Sequence, residues 1–446
     1  MPRGQRGRRA PAPGAPRRRR KGTHPLNRLE KWLERGSHVK EHHGGLDILK
    51  YIGPGLLVTV GFIDPGNWAS NMAAGSTYGY GLLWMVTLST VMLVVLQHNS
   101  AHLGIVSGLC LAEAATKYTP RWVSRVTLTT ALVAVAATVM AEVLGGAIAL
   151  NMLFHLPVKV GAVLVAAVAL ALILTNSYRK IEKWIIGFVS LIGVSFLVEV
   201  AMVQVDWPAA AVSWVSPSVP TGAMPIVMSV LGAVVMPHNL FLHSEVIQSR
   251  KWHLENEKVI QRQLKYEFTD TLLSMVIGWA INSSMIILAA ATFFAHGVVV
   301  DDLAQAAETL TPIAGPAASL IFAVALLLAG VSSSVTAGMA GGTVSSGIAG
   351  EGFDIKDRHS RFGIVACFVA ALAVIFALQD SFAGLVWSQT FLSMQLPITI
   401  FLQVYLTSSK RVMGKYANGR GLRALLLAIA LVVTGLNMAL VVTSLS

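Results

Sequence analysis

The chain has 446 residues, of which 54% are hydrophobic and 13% are charged, and its formal net charge is +12. Soluble globular domains carry about 25% charged residues, so this composition excludes an ordinary soluble protein. Runs of roughly 20 apolar residues predict membrane-spanning helices, whereas β-barrel strands alternate over about 10 residues. The sequence therefore predicts an all-α polytopic membrane protein. Eleven spans are predicted, near residues 49–76, 80–106, 125–152, 157–176, 181–205, 222–247, 267–295, 316–347, 362–379, 382–407 and 422–444.

The N-terminal tail is strongly basic. Residues 1–22 contain eight arginines and one lysine and no acid, and they are rich in Pro, Gly and Ala. No apolar run typical of a signal peptide occurs in this tail. We expect residues 1–45 to form a disordered cytoplasmic segment that anionic lipid attracts. This interpretation is favoured over binding of nucleic acid.

The distribution of basic residues predicts the orientation in the membrane, because cytoplasmic loops are enriched in Lys and Arg. The connections that follow even-numbered spans are basic, whereas those that follow odd-numbered spans carry mainly acids, with Lys159 as the exception. The N-terminus is therefore expected inside and, after eleven spans, the C-terminus outside. Spans 1–5 (residues 46–205) and spans 6–10 (residues 222–407) then run in opposite directions, as in an inverted repeat, and residues 422–446 form an additional helix.

Two spans contain helix-breaking residues near their middle. Span 1 is interrupted at Asp64-Pro65-Gly66-Asn67, and span 6 is interrupted at Met236-Pro237-His238. Proline removes a backbone donor, so it leaves polar backbone groups that lipid cannot satisfy. Interruptions at equivalent places in two halves of a transporter are the best sequence indication of its binding site.

The residues at these breaks favour a transition metal ion. Asp64 and Asn67 offer hard oxygen ligands, and carbonyl groups freed at Gly61 or Ala233 add others. Met236 offers a thioether, which is a poor ligand for Ca²⁺ and Mg²⁺ and a better one for softer ions. Such a site suits Mn²⁺ or Fe²⁺, tolerates Co²⁺ and Cd²⁺, and resists Ca²⁺.

At these residues the chain resembles the Nramp family of divalent metal transporters. The resemblance is carried by the motifs DPGN in span 1, MPHN within GAVVMPHNLFLHS in span 6, AGVSSSVTAGMAG in span 8 and SQTFLSMQLP in span 10. It extends over about residues 46–410. It implies a LeuT-type fold, in which two inverted five-helix repeats alternate access to a central site. It also implies import of Mn²⁺ or Fe²⁺, with H⁺ as a possible co-substrate.

By position, the resemblance implies particular roles for individual residues. The metal ligands would be Asp64, Asn67, Met236 and the Ala233 carbonyl, joined in some conformations by the Gly61 carbonyl and Gln389. The proton pathway would include Asp64, Glu142, His238 and His243. Asp270 and Asn282 match polar positions of the family in span 7, and Asn282 with Thr138 would close the outer vestibule.

The chain departs from the family pattern in span 3. Many members carry an Asp-x-x-Glu pair there, whereas this chain keeps Glu142 and has Val139 at the aspartate position. Valine cannot carry a proton, so one hypothesis is that metal transport is retained while proton coupling is weakened or rerouted. The alternative is that Asp64, His238 and Glu142 suffice for proton movement.

Three other functions agree less well with these residues than metal import does. A Na⁺-coupled amino-acid transporter of the same fold is disfavoured because Asp64 would repel the substrate carboxylate. A Mg²⁺ transporter without proton coupling is disfavoured by the thioether of Met236. An intramembrane hydrolase is disfavoured because no HExxH or GxSxG motif occurs. We therefore expect a monomeric transporter of the bacterial cytoplasmic membrane that is not an enzyme and has no resident cofactor.

Overall fold

The computed structural model describes residues 63–175, 198–250, 257–307 and 316–445, together with 187, 191 and 193–196. Every regular element in these ranges is a helix, which confirms the predicted all-α class. Three predicted features lie outside the described residues, namely the basic tail, the Gly61 carbonyl and most of span 5.

The helices differ widely in length, from single turns at the connections to more than thirty residues in the longest spans. They are α1 (Pro65–Tyr78), α2 (Leu83–Ser107), α3 (Leu111–Tyr118), α4 (Arg121–Phe154), α5 (Val158–Thr175), α6 (Trp207–Ser213), α7 (Met224–Val234), α8 (Pro237–Val246), α9 (Glu257–Thr292), α10 (Pro316–Ala349), α11 (Arg358–Ala377), α12 (Ser381–Thr407), α13 (Lys410–Met413) and α14 (Arg420–Leu445).

Nine helical stretches in the described ranges are long and apolar enough to cross a membrane. Predicted spans 1 and 2 fall together in one of them, Pro65–Ser107, in which a short 3₁₀ segment at Gly79–Leu82 joins α1 to α2. Gly79 has a φ of 58°, a backbone conformation that glycine adopts without steric cost. Span 5 lies mostly outside the described residues. The chain is therefore a multi-pass membrane protein, and the count of eleven spans stays a prediction.

The break predicted in span 6 is present. Helix α7 ends at Val234, the backbone at Met236 is extended, and α8 begins at Pro237. In the same way α1 begins at Pro65, directly after an extended Asp64. Proline fits the first position of a helix because that N–H group has no partner inside the helix in any case.

Small residues allow the central helices to approach one another closely. A Cβ atom added to Gly145 of α4 would lie 1.9 Å from the Cβ of Pro65, and one added to Gly330 of α10 would lie 2.6 Å from the backbone nitrogen of Gly146. Such contacts are typical of helix packing in membranes. They place the start of α1 directly against α4, where Glu142 lies one turn before Gly145.

Candidate functional site

The first break positions a carboxylate at the start of a helix. Asp64 is the N-cap of α1, and its Oδ1 accepts a hydrogen bond from the backbone N–H of Asn67 at 2.5 Å. The side chains of both residues are fully buried. Because the N-terminal end of a helix carries partial positive charge, it stabilises an anionic side chain there. The local sequence thus fixes a carboxylate inside the membrane region of the protein.

The second break frees a carbonyl group. In an unbroken helix the Ala233 carbonyl would accept a hydrogen bond from the N–H of residue 237, but Pro237 has none. Instead the side-chain Nδ2 of Asn67 donates to the Ala233 oxygen at 3.0 Å. The start of α1 and the end of α7, which are far apart in the sequence, are therefore joined by one buried hydrogen bond.

Met236 lies in the extended segment between α7 and α8. Its side chain is fully buried, and its sulfur accepts a contact from Nδ2 of Asn239 at 3.6 Å. Met236 lies three positions after Ala233, in the extended segment that separates α7 from α8. The thioether is thus held at the break, as the sequence predicts, rather than in the middle of a regular helix.

Gln389 of α12 lies against both α1 and α7. A Cβ atom on Gly66 would come within 1.8 Å of Gln389 Nε2, and one on Gly232 would come within 1.9 Å of the Gln389 carbonyl oxygen. Among the described residues, the buried Oε1 of Gln389 has no hydrogen-bond partner. An additional buried oxygen is thus available beside the breaks.

A second carboxyl group adjoins the first. Glu142 of α4 lies next to Asp64, and its Oε2 accepts a hydrogen bond from the hydroxyl of Ser333. Neither carboxyl group is exposed to solvent. Two buried carboxylates in contact repel each other, so the pair is suited to hold a proton or to face a cation.

The two histidines of α8 lie in different surroundings. The Nδ1 of His238 is 3.2 Å from the hydroxyl of Thr138 on α4, and this histidine lies two positions after Met236 in the chain. The Nδ1 of His243 is 2.8 Å from Gln97 Oε1 on α2. The structure therefore brings Asp64 and Glu142 together, places His238 against α4, and directs His243 towards α2.

Several contacts at the site were not anticipated from the sequence. The span that contains Ser333 has no titratable residue, but the Ser333 hydroxyl donates a hydrogen bond to Glu142 of α4. The hydroxyl groups of Ser70 and Ser229 lie 2.6 Å apart and join α1 to α7. Spacing along the sequence indicates neighbours within a helix but not between helices, so no sequence signal identified these pairs.

The polar residues expected at the outer vestibule occupy separate positions. Asn282 of α9 accepts a hydrogen bond from Nδ2 of Asn71 at 2.7 Å, whereas Thr138 contacts His238. Asp270, also on α9, is buried. The contact between Asn71 and Asn282 links α1 to α9 at a level one turn beyond Asn67.

Comparison with known proteins places this arrangement among metal transporters. A family model described as Natural resistance-associated macrophage protein-like matches residues 55–443. A divalent metal cation transporter of Brucella suis is 37% identical over 403 residues, which cover 88% of this chain and 88% of that protein. One of Caldanaerobacter subterraneus subsp. tengcongensis is 36% identical over 375 residues, covering 83% and 87% of the two chains.

Solved structures show the same fold. The manganese transporter of Eremococcus coleocola superposes with a TM-score of 0.76 at 28% identity, covering 90% of this chain and 88% of that chain. A nucleobase-cation-symport-1 family transporter, Mhp1, superposes with a TM-score of 0.61 at 17% identity, covering 88% and 91%. The second similarity concerns the fold alone.

Proposed function

Because this chain belongs to the Nramp family, we propose that it imports divalent transition metal ions, with Mn²⁺ and Fe²⁺ as the preferred substrates. The chain is a divalent metal ion transporter and not an enzyme. The observation that carries the proposal is the hydrogen bond of 3.0 Å between Asn67 and the Ala233 carbonyl, which joins the start of α1 to the end of α7.

The ion is proposed to bind at the joined breaks. Asp64 supplies the charge, Asn67 and the Ala233 carbonyl supply neutral oxygens, and Met236 supplies a sulfur that disfavours Ca²⁺ and Mg²⁺. The Gly61 carbonyl and Gln389 are proposed to join in some conformations. Support for Gln389 comes from its buried Oε1 beside Gly66. The Asn67–Ala233 hydrogen bond would be exchanged for ion contacts when the metal enters.

The proposed transport cycle is alternating access by two inverted five-helix repeats. We propose eleven spans, with residues 46–205 and 222–407 as the repeats, 422–446 as the last helix, and the N-terminus inside and the C-terminus outside. The observed break in span 6 and the start of α1 at Pro65 support this arrangement, since broken helices occupy corresponding places in such repeats. The protein is proposed to act as a monomer in a bacterial cytoplasmic membrane, with residues 1–45 as a cytoplasmic tail.

Proton movement is proposed to use Asp64, Glu142, His238 and His243, with coupling that is weakened or rerouted. The contact between Asp64 and Glu142 supports proton exchange at the site, because a cation that enters can displace a shared proton. The buried Val139 interrupts any continuation of the proton pathway along α4. Proton and metal movements are therefore expected to be separable.

Purified protein in liposomes tests this function. Uptake of Mn²⁺ is followed with an entrapped metal-sensitive dye and proton entry with a pH dye, each with and without an imposed pH gradient. Saturable Mn²⁺ and Fe²⁺ uptake that excess Ca²⁺ does not inhibit supports the proposal. Absence of Mn²⁺ uptake by protein that is folded and correctly inserted would refute it.

A further inference from the structure

A thiol and two carboxyl groups meet away from the proposed transport site. Cys110 precedes α3, Glu113 lies in its first turn, and Glu245 lies in the last turn of α8. One ligand atom of each residue lies within 4.8 Å of the other two. Glu245 follows Met236 by nine residues along the chain, which corresponds to about 13 Å of helix. The cluster is therefore separate from the joined breaks.

The backbone holds these three side chains in place. Cys110 is the N-cap of α3, where its Sγ accepts the N–H of Glu113 at 3.4 Å and its own N–H donates to Glu113 Oε2 at 2.7 Å. The hydroxyl of Ser244 accepts the N–H of Leu111 at 2.9 Å, which fixes the end of α8 against the start of α3. Ligands carried by rigid elements are suited to bind an ion without rearrangement.

The cluster gathers acidic groups, and none of the described residues is a cationic partner for them. In the described part of the chain, no Lys, Arg or His forms an ion pair with Glu113 or Glu245. The Oε2 atom of Glu245 is buried and has no hydrogen-bond partner there, and Cys110 is fully buried. Converging acids in such surroundings are costly unless a proton or a cation neutralises them.

The donor set selects the kind of ion. A thiol binds a cation as its thiolate, so binding of a cation at Cys110 would release a proton. One thiolate and two carboxylates combine soft and hard ligands, a set that suits Zn²⁺ or Cd²⁺ and not Mg²⁺ or Ca²⁺. Three protein ligands leave one tetrahedral position for water.

We propose that Cys110, Glu113 and Glu245 form a second divalent-cation site that takes a borderline transition ion such as Zn²⁺ or Cd²⁺. The connections that carry the site are predicted to be cytoplasmic. The site would therefore be exposed to ions on the cytoplasmic side of the membrane, to which import delivers them. A bound ion would tie the end of α8 to α3 and so restrain the half-helix that begins beside Met236.

Binding of Cd²⁺ to the purified full-length chain tests this site. An Asp64→Ala background removes the proposed transport site, and equilibrium dialysis together with the ultraviolet cadmium–thiolate absorbance reports what remains. We expect the Asp64→Ala protein still to bind Cd²⁺ and to show the cadmium–thiolate absorbance band. Adding Cys110→Ser should abolish the band and weaken the remaining binding by more than about tenfold. Serine is itself a preferred N-cap, so α3 is retained.

Two further variants make the result specific. Glu245→Gln in the same background should also weaken Cd²⁺ binding, whereas Cys367→Ser, which alters a buried cysteine of α11, should leave the band unchanged. Absence of the band in the Asp64→Ala background, or its survival after Cys110→Ser, would overturn the proposal. Equal Cd²⁺ binding by wild type and Asp64→Ala would argue against the proposed transport site at Asp64. The Cys110→Ser variant would still show whether Cd²⁺ binds at the second site.

Discussion

The side-chain amide of Asn67, near the start of α1, donates a hydrogen bond of 3.0 Å to the carbonyl oxygen of Ala233 at the end of α7, 166 positions further along the chain. That oxygen is available because its helical partner position is Pro237, which has no N–H group. The amide therefore satisfies a backbone acceptor that lipid could not satisfy. In the proposed site, the same pair would supply two neutral oxygens to the ion.

Replacing Asp64 should abolish transport. Asp64→Asn keeps the size of the side chain and its capping oxygen but removes the negative charge that the proposed site supplies. We expect Mn²⁺ uptake to fall by more than about tenfold, since even residues that only support a metal ligand contribute 10–100-fold. Radioactive Mn²⁺ uptake into proteoliposomes measures this. Asp380→Asn is a matched control, because Asp380 caps α12 in the same manner but lies outside the site. Wild-type uptake by Asp64→Asn would exclude the assigned ligand role.

Replacing Met236 should relax ion selectivity more than it reduces transport. Met236→Ala removes the soft ligand and leaves the oxygens, so Ca²⁺ and Mg²⁺ should compete better against Mn²⁺ by about tenfold, equivalent to about 1.4 kcal/mol. Competition assays in proteoliposomes report the change. Met228→Ala removes an equally buried methionine of α7 and should leave selectivity as it is. Unchanged competition in Met236→Ala would show that the sulfur does not select the ion.

Glu142 provides the test of proton movement. Glu142→Gln keeps the acceptor for Ser333 but cannot exchange a proton with Asp64, so metal-driven acidification should fall several-fold while Mn²⁺ uptake declines less. The ratio of the pH-dye signal to Mn²⁺ uptake is the measurement. Glu199→Gln alters another buried glutamate and serves as the control. Equal acidification per ion in wild type and Glu142→Gln would remove this residue from the pathway.

The sequence indicated the parts of the site that depend on local chemistry and missed those that depend on contacts between helices. Pro65 and Pro237 act on their own segments, so both helix starts could be predicted from the sequence. The bonds of Ser333 to Glu142 and of Asn71 to Asn282 join different spans, and no spacing along the chain encodes them. The junction at Gly79 was also hard to predict, because α1 and α2 follow each other with only one 3₁₀ segment between them.

The close packing of α12 against α7 should leave no room for an added side chain at Gly232. In Gly232→Ala the new Cβ would lie 1.9 Å from the Gln389 carbonyl oxygen, and a backbone atom cannot move aside as a flexible side chain can. Overpacking of this kind costs about 1–3 kcal/mol, so we expect a lower thermal unfolding temperature and reduced Mn²⁺ uptake because Gln389 is displaced. Gly81→Ala is the control, since nothing lies within 4 Å of its added Cβ. Unfolding followed by tryptophan fluorescence, together with Mn²⁺ uptake, measures both effects. If Gly232→Ala and Gly81→Ala behave alike in both assays, α12 does not pack against α7 as closely as the structure shows, and the place of Gln389 beside the ion would have to be abandoned.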